Sequence, residues 1–136
     1  MEIENFWHDI ITQNKTALSA YFCDDAVIRW HCTNEKFTVD EYIRANCEYP
    51  GKWDGEIERM EEFDSKIILV GKVHSIDTTI SCHVVSFITL RDDKICEMDE
   101  YWADDGEIPS WRIAMGIGST IGGNMNWSQI ATGFKV

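Results

Sequence analysis

The chain has 136 residues, 44% hydrophobic and 26% charged, a composition typical of one soluble globular domain with a hydrophobic core. Its 12 Lys and Arg residues are outnumbered by 24 Asp and Glu residues, which gives a formal net charge of −12. Because phosphate backbones and anionic lipids repel so acidic a surface, the composition argues against nucleic-acid and membrane partners.

The cysteines and histidines indicate neither a disulfide framework nor a metal site. The five cysteines are odd in number and have no CxxC spacing, and the four histidines have no HxH or HxxxH spacing. The N-terminal segment has no basic start and no apolar run typical of a secretory signal, and GxGxxG and P-loop motifs are absent from the sequence. The sequence therefore predicts a cytoplasmic protein with no metal and no cofactor.

The N-terminal residues predict two short helices followed by a strand. Apolar residues recur at helical spacing over residues 6–11 and again over 17–22, with a joint near Asn14-Lys15. The pair Asp24-Asp25 is expected to end the second helix. Residues 26–32 are then predicted to form a β-strand.

A third helix has the clearest local signal in the chain. Thr38 is followed three residues later by Glu41, which is the spacing of a capping box. Phe37 and Tyr42 stand at the two positions of a hydrophobic staple. Pro50-Gly51 is expected to end the helix.

The rest of the main domain is predicted to be a β-meander. Four strands are expected, with tight turns near Asp77-Thr78 and Asp92-Asp93. Helices first and strands afterwards indicate an α+β domain with its helices on one face of the sheet. The predicted strands cover residues 55–63, 67–75, 80–90 and 95–102.

The strand over residues 80–90 has two largely apolar faces. Val84, Ser86 and Ile88 share one face, and residues such as His83 and Phe87 share the other. The helices cover one face, and an exposed apolar face is costly, so the second needs a cover as well. We expect a homodimer through the sheet, since closed two-fold dimers are the commonest oligomers. The alternative is that the C-terminal tail folds over this face.

The order of these elements and two motifs resemble the nuclear transport factor 2-like superfamily. The motif from Tyr21 to Val27 is similar to that superfamily's helix-to-strand junction, and the segment from Lys94 to Trp102 is similar to its closing strand. The segments 37–51 and 102–112 resemble its SnoaL-like, or polyketide-cyclase-like, branch. The resemblance covers about residues 3–112, so we expect a single SnoaL-like domain over residues 1–112 and a Gly-rich apolar extension over 113–136.

The resemblance implies a fold and a class of ligand, but no reaction. The fold would be a cone-shaped, curved antiparallel sheet wrapped around the N-terminal helices and the capped helix, with a cystatin-like arrangement. Such a cone encloses an apolar cavity suited to a small apolar ligand or substrate. Because the superfamily contains isomerases, cyclases, dehydratases, hydrolases and transport factors, the fold alone does not imply an activity.

The residues of ketosteroid isomerases, which belong to the same superfamily, are replaced in this chain. Aligned on the Asp-Asp-Ala junction, the isomerase's tyrosine falls on Phe6 and its catalytic base on Trp30. Aligned on the last two strands, its protonated aspartic acid falls on Ser86. None of the three isomerase roles is therefore filled, whereas Trp102 matches a cavity tryptophan of that enzyme.

The same alignment predicts which side chains point into the cavity. Glu100 is the only carboxylate that it places there, and burial among apolar groups is expected to raise its pKa toward the range of general acid–base catalysis. The alternatives are that Glu100 is solvated at the mouth of the cone or pairs with Arg44. The expected ligand-binding residues are Phe6, Ile28, Trp30, Asn46, Val84, Ser86, Ile88, Met98 and Trp102.

His31 is the second candidate for catalysis. A bulge at Trp30-His31 would turn its imidazole into the cavity, and the alternative is a partly exposed or interface histidine. The indole N–H groups of Trp30 and Trp102 are expected to position a ligand oxygen. The Asn46 amide lies on the capped helix that closes the mouth in this superfamily, where it is available to a ligand or serves only the helix end.

The leading hypothesis is a homodimeric, small-molecule-binding protein with an apolar cavity. One alternative is a cofactor-independent isomerase, cyclase or dehydratase that uses general acid–base catalysis, and another is a non-catalytic dimerisation or association module. For the extension over residues 113–136 three alternatives stay open. It runs across a partner subunit, fills the cavity or is disordered.

Overall fold

A computed structural model describes residues 1–122, which divide into two units. The first unit is Met1–Asp105, and the second begins at Gly106. The first contains three α-helices, α1 (Ile3–Ile11), α2 (Lys15–Leu18) and α3 (Val39–Cys47), and six strands, β1 (Phe22–Trp30), β2 (Glu35–Phe37), β3 (Trp53–Phe63), β4 (Lys66–Ser75), β5 (Ser81–Arg91) and β6 (Lys94–Asp104).

The six strands form one mixed sheet in the order β2-β1-β6-β5-β4-β3. Strands β3 to β6 form the predicted antiparallel meander, and β2 pairs antiparallel with β1. The pair between β1 and β6 is parallel, so the sheet is not antiparallel throughout. The α+β class is confirmed. The expectation failed here because hairpin turns set only the directions of consecutive strands, whereas β1 pairs with the last strand of the sheet over a long distance in the chain.

The junction between the second helix and β1 differs from the prediction. Helix α2 ends at Leu18, a single 3₁₀ turn covers Ser19–Tyr21, and β1 begins at Phe22. Asp24 and Asp25 therefore do not end a helix but lie exposed within β1. The strand accommodates them because its register with β6 shifts between Phe22 and Val27, so this stretch is not part of a continuous ladder.

The predicted N-terminus of α3 is confirmed. The Thr38 hydroxyl accepts a hydrogen bond from the Glu41 amide at 3.3 Å, and the Glu41 carboxylate accepts one from the Thr38 amide at 2.9 Å. The Phe37 and Tyr42 rings both pack edge-on to Trp30, at centroid distances of 4.7 and 6.2 Å. The cap thus fixes where α3 begins, and the aromatic residues beside it attach that end to β1.

The turns of the meander are also as predicted. Asp92 and Asp93 have φ values of 53° and 63°, which is the left-handed pair of a type I′ hairpin turn. Thr78, in the β4–β5 turn, has a φ of 61°. Each strand of the meander begins and ends within two residues of its predicted limits.

The core lies between the helices and one face of the sheet. The side chains of Val84, Ser86 and Ile88 are buried, whereas Phe87 on the opposite face is 44% exposed. The alternation of β5 therefore confirms the predicted inward face. The buried apolar set is Ile3, Phe6, Trp7, Ile10, Ile11, Leu18, Phe22, Ala26, Ile28, Tyr42, Ile43, Ile67, Leu69, Val73, Val84, Ile88, Ile95 and Met98.

The second unit contains one short helix, α4 (Ser110–Met115), which ends at Gly116 in the left-handed conformation. The expected domain boundary after residue 112 falls inside this helix. The expectations for the rest of the tail concern residues 123–136 and lie outside the described residues. Over residues 1–122, no helix is both long enough and apolar enough to cross a bilayer.

Candidate functional site

Sheet register brings a polar cluster together around Glu100. Glu100 lies on β6 and is the direct partner of Trp30 on β1 and of Ser86 on β5. Trp102 follows two residues later on the same strand and therefore projects from the same face. Three neighbouring strands thus direct four side chains to one place on the inner face of the sheet.

The Glu100 carboxylate accepts three side-chain hydrogen bonds. The Trp30 indole N–H donates to Oε1 at 3.0 Å, and the Trp102 indole N–H donates to the same oxygen at 3.4 Å. The Ser86 hydroxyl donates to Oε2. An ionised carboxylate offers about four lone-pair positions, so these three donors satisfy most of its capacity.

Glu100 is buried rather than solvated at the mouth. It is 3% exposed, and its burial raises the pKa of its carboxyl group, while the hydrogen bonds from Ser86, Trp30 and Trp102 oppose that rise. Pairing with Arg44 is also ruled out, because the Arg44 guanidinium contacts Glu48 at 2.7 Å.

Burial also raises the pKa of the Tyr42 phenol, which senses the charge of Glu100. This pKa lies well above its usual value, and the negative charge of Glu100 adds to the effect of burial. The Tyr42 phenol therefore stays protonated beside the carboxyl group over the physiological pH range.

The indole N–H groups do not serve a ligand as expected. An indole has a single N–H donor, and those of Trp30 and Trp102 are both directed at Glu100. A ligand in this region therefore meets the rings of the two tryptophans rather than free donors. The alignment of strands placed both tryptophans on the inner face of the sheet, but it carried no information on which acceptor their N–H groups would bond to.

A cavity of about 390 Å³ is lined by both tryptophans, Trp30 and Trp102, and lies where several strands begin or end, which we call the mouth of the fold. Its walls come from α1, from α3, from the starts of β3 and β5 and from the ends of β1, β4 and β6. The volume falls within the range of small-molecule sites. Its described lining residues are Ile10, Ile11, Gln13, Trp30, Cys32, Thr33, Ala45, Asn46, Tyr49, Trp53, Val73, Ile80, Cys82, Trp102 and Asp104.

Three of the predicted ligand-binding residues line this cavity, namely Trp30, Asn46 and Trp102. The others are packed in the core, with no more than 1% of each exposed, because the space between the helices and the sheet is filled there by the protein's own side chains. The cavity is thus at the mouth of the fold and not deep inside it. The predicted residues that do not line it are Phe6, Ile28, Val84, Ser86, Ile88 and Met98.

Tyr49 and Trp53 also line the cavity, and neither was expected among the ligand-binding residues. Trp53 opens β3, and its ring packs against Tyr49 at a centroid distance of 5.4 Å. The Trp53 indole N–H donates to the Pro50 carbonyl at 3.2 Å, so this ring is also held in place. A signal was present, because Tyr49 and Trp53 flank the Pro50-Gly51 helix stop that the sequence analysis identified.

Two amide side chains tie α1 to α3 at the rim. The Asn46 amide donates to the Ile10 carbonyl at 3.0 Å. The Gln13 amide donates to the Asn46 and Tyr49 carbonyls, both at 2.9 Å. These bonds satisfy carbonyl groups near the helix ends, and they use the donors that a ligand would otherwise find there.

His31 lies on the opposite face of the sheet and away from Glu100. Its Nε2 is 2.7 Å from an Asp99 carboxylate oxygen, and its ring stacks on Tyr101 at a centroid distance of 4.6 Å. The expected inward turn at Trp30-His31 does not occur, because β1 ends at Trp30 and a 3₁₀ turn begins at His31. The alternative of a partly exposed histidine describes its position.

The described residues contain no group of three His, Cys, Asp or Glu side chains placed to hold a metal ion. All five cysteines are free thiols, and two of them, Cys32 and Cys82, line the cavity. Burial raises the pKa of the Cys82 thiol, so it is a neutral, weakly polar part of the wall.

No family model and no curated protein matches the sequence, whereas solved structures match the fold. A candidate ketosteroid isomerase from Kribbella flavida is similar over 87% of both chains, with a TM-score of 0.72 and 18% identity. A nuclear transport factor 2-like protein of unknown function from Burkholderia xenovorans is similar over 87% of this chain and 91% of its own, with a TM-score of 0.70 and 18% identity.

A candidate SnoaL-like polyketide cyclase from Shewanella putrefaciens is similar over 82% of both chains, with a TM-score of 0.60 and 15% identity. Identities this low establish a shared fold, while activity depends on the residues of each site. The described part of the chain therefore has the nuclear transport factor 2-like fold, the α+β fold of ketosteroid isomerase-like and SnoaL-like proteins.

Proposed function

We propose that this protein binds a small, mostly apolar molecule in the cavity at the mouth of the fold. The observation that carries the proposal is the cavity itself, about 390 Å³ in volume and walled by three tryptophans and a tyrosine. Sites for small molecules are concave and mostly apolar, with a few polar groups among aromatic side chains. The cavity has that composition.

The aromatic walls are held in position before a ligand arrives. Trp30 and Trp102 are bonded to the buried Glu100, and Trp53 is bonded to the Pro50 carbonyl. Side chains that are already ordered lose little conformational entropy when a ligand binds, which favours affinity. In this role Glu100 acts through the two indoles and does not need to touch the ligand.

The proposal is tested with N-phenyl-1-naphthylamine, a neutral fluorophore that brightens in apolar surroundings. The probe should bind the wild-type protein, and Trp30→Ala should weaken its binding at least tenfold by removing one wall. Ala45→Trp adds an indole to the cavity lining without deleting a contact, and it should prevent binding by filling the space.

Phe63→Ala is the matched control, because it removes an aromatic ring that is 48% exposed at the opposite end of β3 from Trp53. Its affinity for the probe should equal that of the wild type. If Ala45→Trp folds normally, as judged by circular dichroism, and still binds the probe with unchanged affinity, the mouth cavity is not the binding site.

A cofactor-independent acid–base enzyme is the second candidate, and the raised pKa of the Glu100 carboxyl favours it. In that case the wild-type protein should accelerate α-proton exchange of an enolisable ketone, such as cyclohexanone in D₂O, followed by NMR. Glu100→Gln should abolish the acceleration. Equal exchange rates for the wild type and Glu100→Gln would reject Glu100 as the catalytic acid or base.

The outer face of the sheet supports a homodimer as the working assembly. Phe87 and Tyr101 are 44% and 41% exposed there, and their rings contact each other at a centroid distance of 6.1 Å. His31 extends this patch by stacking on Tyr101. A two-fold contact between two copies would cover the patch without obstructing the cavity, which opens from the other face.

A further inference from the structure

The cavity has an electrostatic character that its apolar walls do not reveal by themselves. Among its described lining residues there is no Lys, Arg or His, whereas Asp104 contributes a carboxylate at the rim. Asp104 makes no ion pair within residues 1–122. The described charge around the cavity is therefore negative and lacks a basic partner.

The aromatic walls add to this negative character. The faces of indole and phenol rings carry the negative lobes of their quadrupoles, and Trp is the strongest of the aromatic residues in attracting cations. Trp30 and Trp102 both donate their N–H groups to the Glu100 carboxyl, and hydrogen bonds to such an acceptor polarise the rings further.

From these observations we propose that the ligand is an organic cation with a methylated ammonium group, held against the rings of Trp30, Trp53 and Trp102 with Asp104 at the rim. The inference rests on the proposed function and specifies its class of ligand. Three rings and a carboxylate around one small space form the arrangement that recognises quaternary ammonium groups.

The hydrogen bonds of the site select the methylated form of the cation. A primary ammonium group carries three N–H donors that each need an acceptor when buried. The backbone carbonyls of Ile10, Asn46 and Tyr49 near the cavity already accept hydrogen bonds from the Gln13 and Asn46 amides, which engages acceptors that such a group would need. A quaternary ammonium has no N–H group, so it can contact the aromatic rings without leaving a donor unsatisfied.

The charge of the whole chain favours the same ligand. With a formal net charge of −12, the protein attracts cations and repels anions over the distances at which a ligand approaches. This effect is weakened by salt, whereas contact with the rings inside the cavity is not.

Isothermal titration of the full chain with choline and with 3,3-dimethylbutan-1-ol tests the inference. The two molecules have the same shape, but a carbon replaces the ammonium nitrogen in the alcohol. Choline should bind at least tenfold more tightly, which corresponds to about 1.4 kcal/mol. Equal or weaker binding of choline would overturn the cation inference.

Two variants separate charge from shape. Asp104→Asn should weaken choline binding about fivefold and leave the neutral alcohol unaffected. Asp64→Asn is its matched control, because it removes one carboxylate in the turn after β3, at the opposite end of that strand from Trp53, and Asn tolerates the positive φ of 55° at this position. Asp64→Asn should change neither the affinity for choline nor the affinity for the neutral alcohol.

Trp53→Leu keeps the wall apolar but removes one ring, and its N–H is bonded to a backbone carbonyl rather than to Glu100. It should weaken choline binding severalfold without weakening binding of the neutral alcohol.

If N-phenyl-1-naphthylamine binds as expected but choline has no advantage over the alcohol, the cavity binds ligands and only the cation inference fails. If the probe also fails to bind, the proposed function fails.

Discussion

At the scale of single residues, Glu100 has an unusual position. It is 3% exposed, yet three side-chain donors from β1, β5 and β6 converge on its carboxylate. A buried charge without such partners would cost several kcal/mol, so the donors are what permit a carboxylate here. Burial nevertheless raises the pKa of the Glu100 carboxyl group. This shift makes the stability of the protein depend on pH.

The direction of that dependence follows from linkage. The carboxyl group binds its proton more tightly in the folded chain than in the unfolded chain, whose reference pKa is 4.5. The contribution of Glu100 to stability is therefore full below about pH 4.5 and is lost as the pH rises toward the raised pKa, at about 1.4 kcal/mol per unit of pKa difference.

We expect Glu100→Gln to remove the loss of stability that Glu100 causes as the pH rises. A Gln side chain can accept both indole N–H bonds on its carbonyl oxygen and donate its amide to the Ser86 hydroxyl, so the network survives. Urea unfolding from pH 4 to 8 should show the variant gaining stability relative to the wild type as the pH rises. The control Glu107→Gln, at an exposed position, should show no such gain in stability relative to the wild type. Parallel wild-type and Glu100→Gln curves would contradict the raised pKa.

At the scale of elements, the position of α1 on the sheet depends on two glycines. A Cβ added to Gly71 on β4 would overlap the indole ring of Trp7, and one added to Gly55 on β3 would crowd Trp7 and Ile11. The absence of side chains at these positions lets α1 lie close to the sheet. Since Ile11 also lines the cavity, this close packing helps to shape the functional site.

Gly71→Ala should therefore destabilise the protein by about 1–3 kcal/mol, the usual cost of overpacking against a rigid ring. Its control is Gly106→Ala, because an added Cβ there meets no atom within 4 Å. The urea midpoint should fall for the first variant and stay within error for the second. A Gly71→Ala protein as stable as the wild type would show that α1 can shift without cost.

At the scale of the whole molecule, the exposed aromatic patch on the outer face of the sheet is the surface through which we propose that two copies associate. A homodimer should elute in size-exclusion chromatography with light scattering at close to twice the chain mass of 15.7 kDa. Phe87→Lys places a charge in the exposed aromatic patch and should produce a monomer, whereas Phe63→Lys should leave the dimer intact. A wild-type protein that is monomeric at micromolar concentration would exclude the proposed dimer.

Much of the fold was predictable because its signals are local. The capping box at Thr38 and Glu41, the turn at Asp92-Asp93 and the limits of four strands were all predicted from short stretches of sequence. Local signals failed at Asp24-Asp25, where a polar pair typical of a helix end lies inside a strand. There β1 accommodates the exposed pair because its ladder with β6 is interrupted between Phe22 and Val27, which no local signal reveals.

The sequence, aligned on the motifs of the superfamily that it resembles, placed Glu100, Trp30 and Trp102 together on the inner face of the sheet. That inference succeeded because side chains alternate along a strand with a period of two, whatever the rest of the fold does.

Only the tertiary structure decided how the three groups are bonded and where the empty space lies. Hydrogen bonds across the parallel β1–β6 pair join residues 70 positions apart in the chain. Whether a region is filled depends on the combined volumes of side chains from many elements, and no periodic pattern encodes that sum. The two indoles therefore face a cavity at the mouth, while the predicted residues below them form solid core.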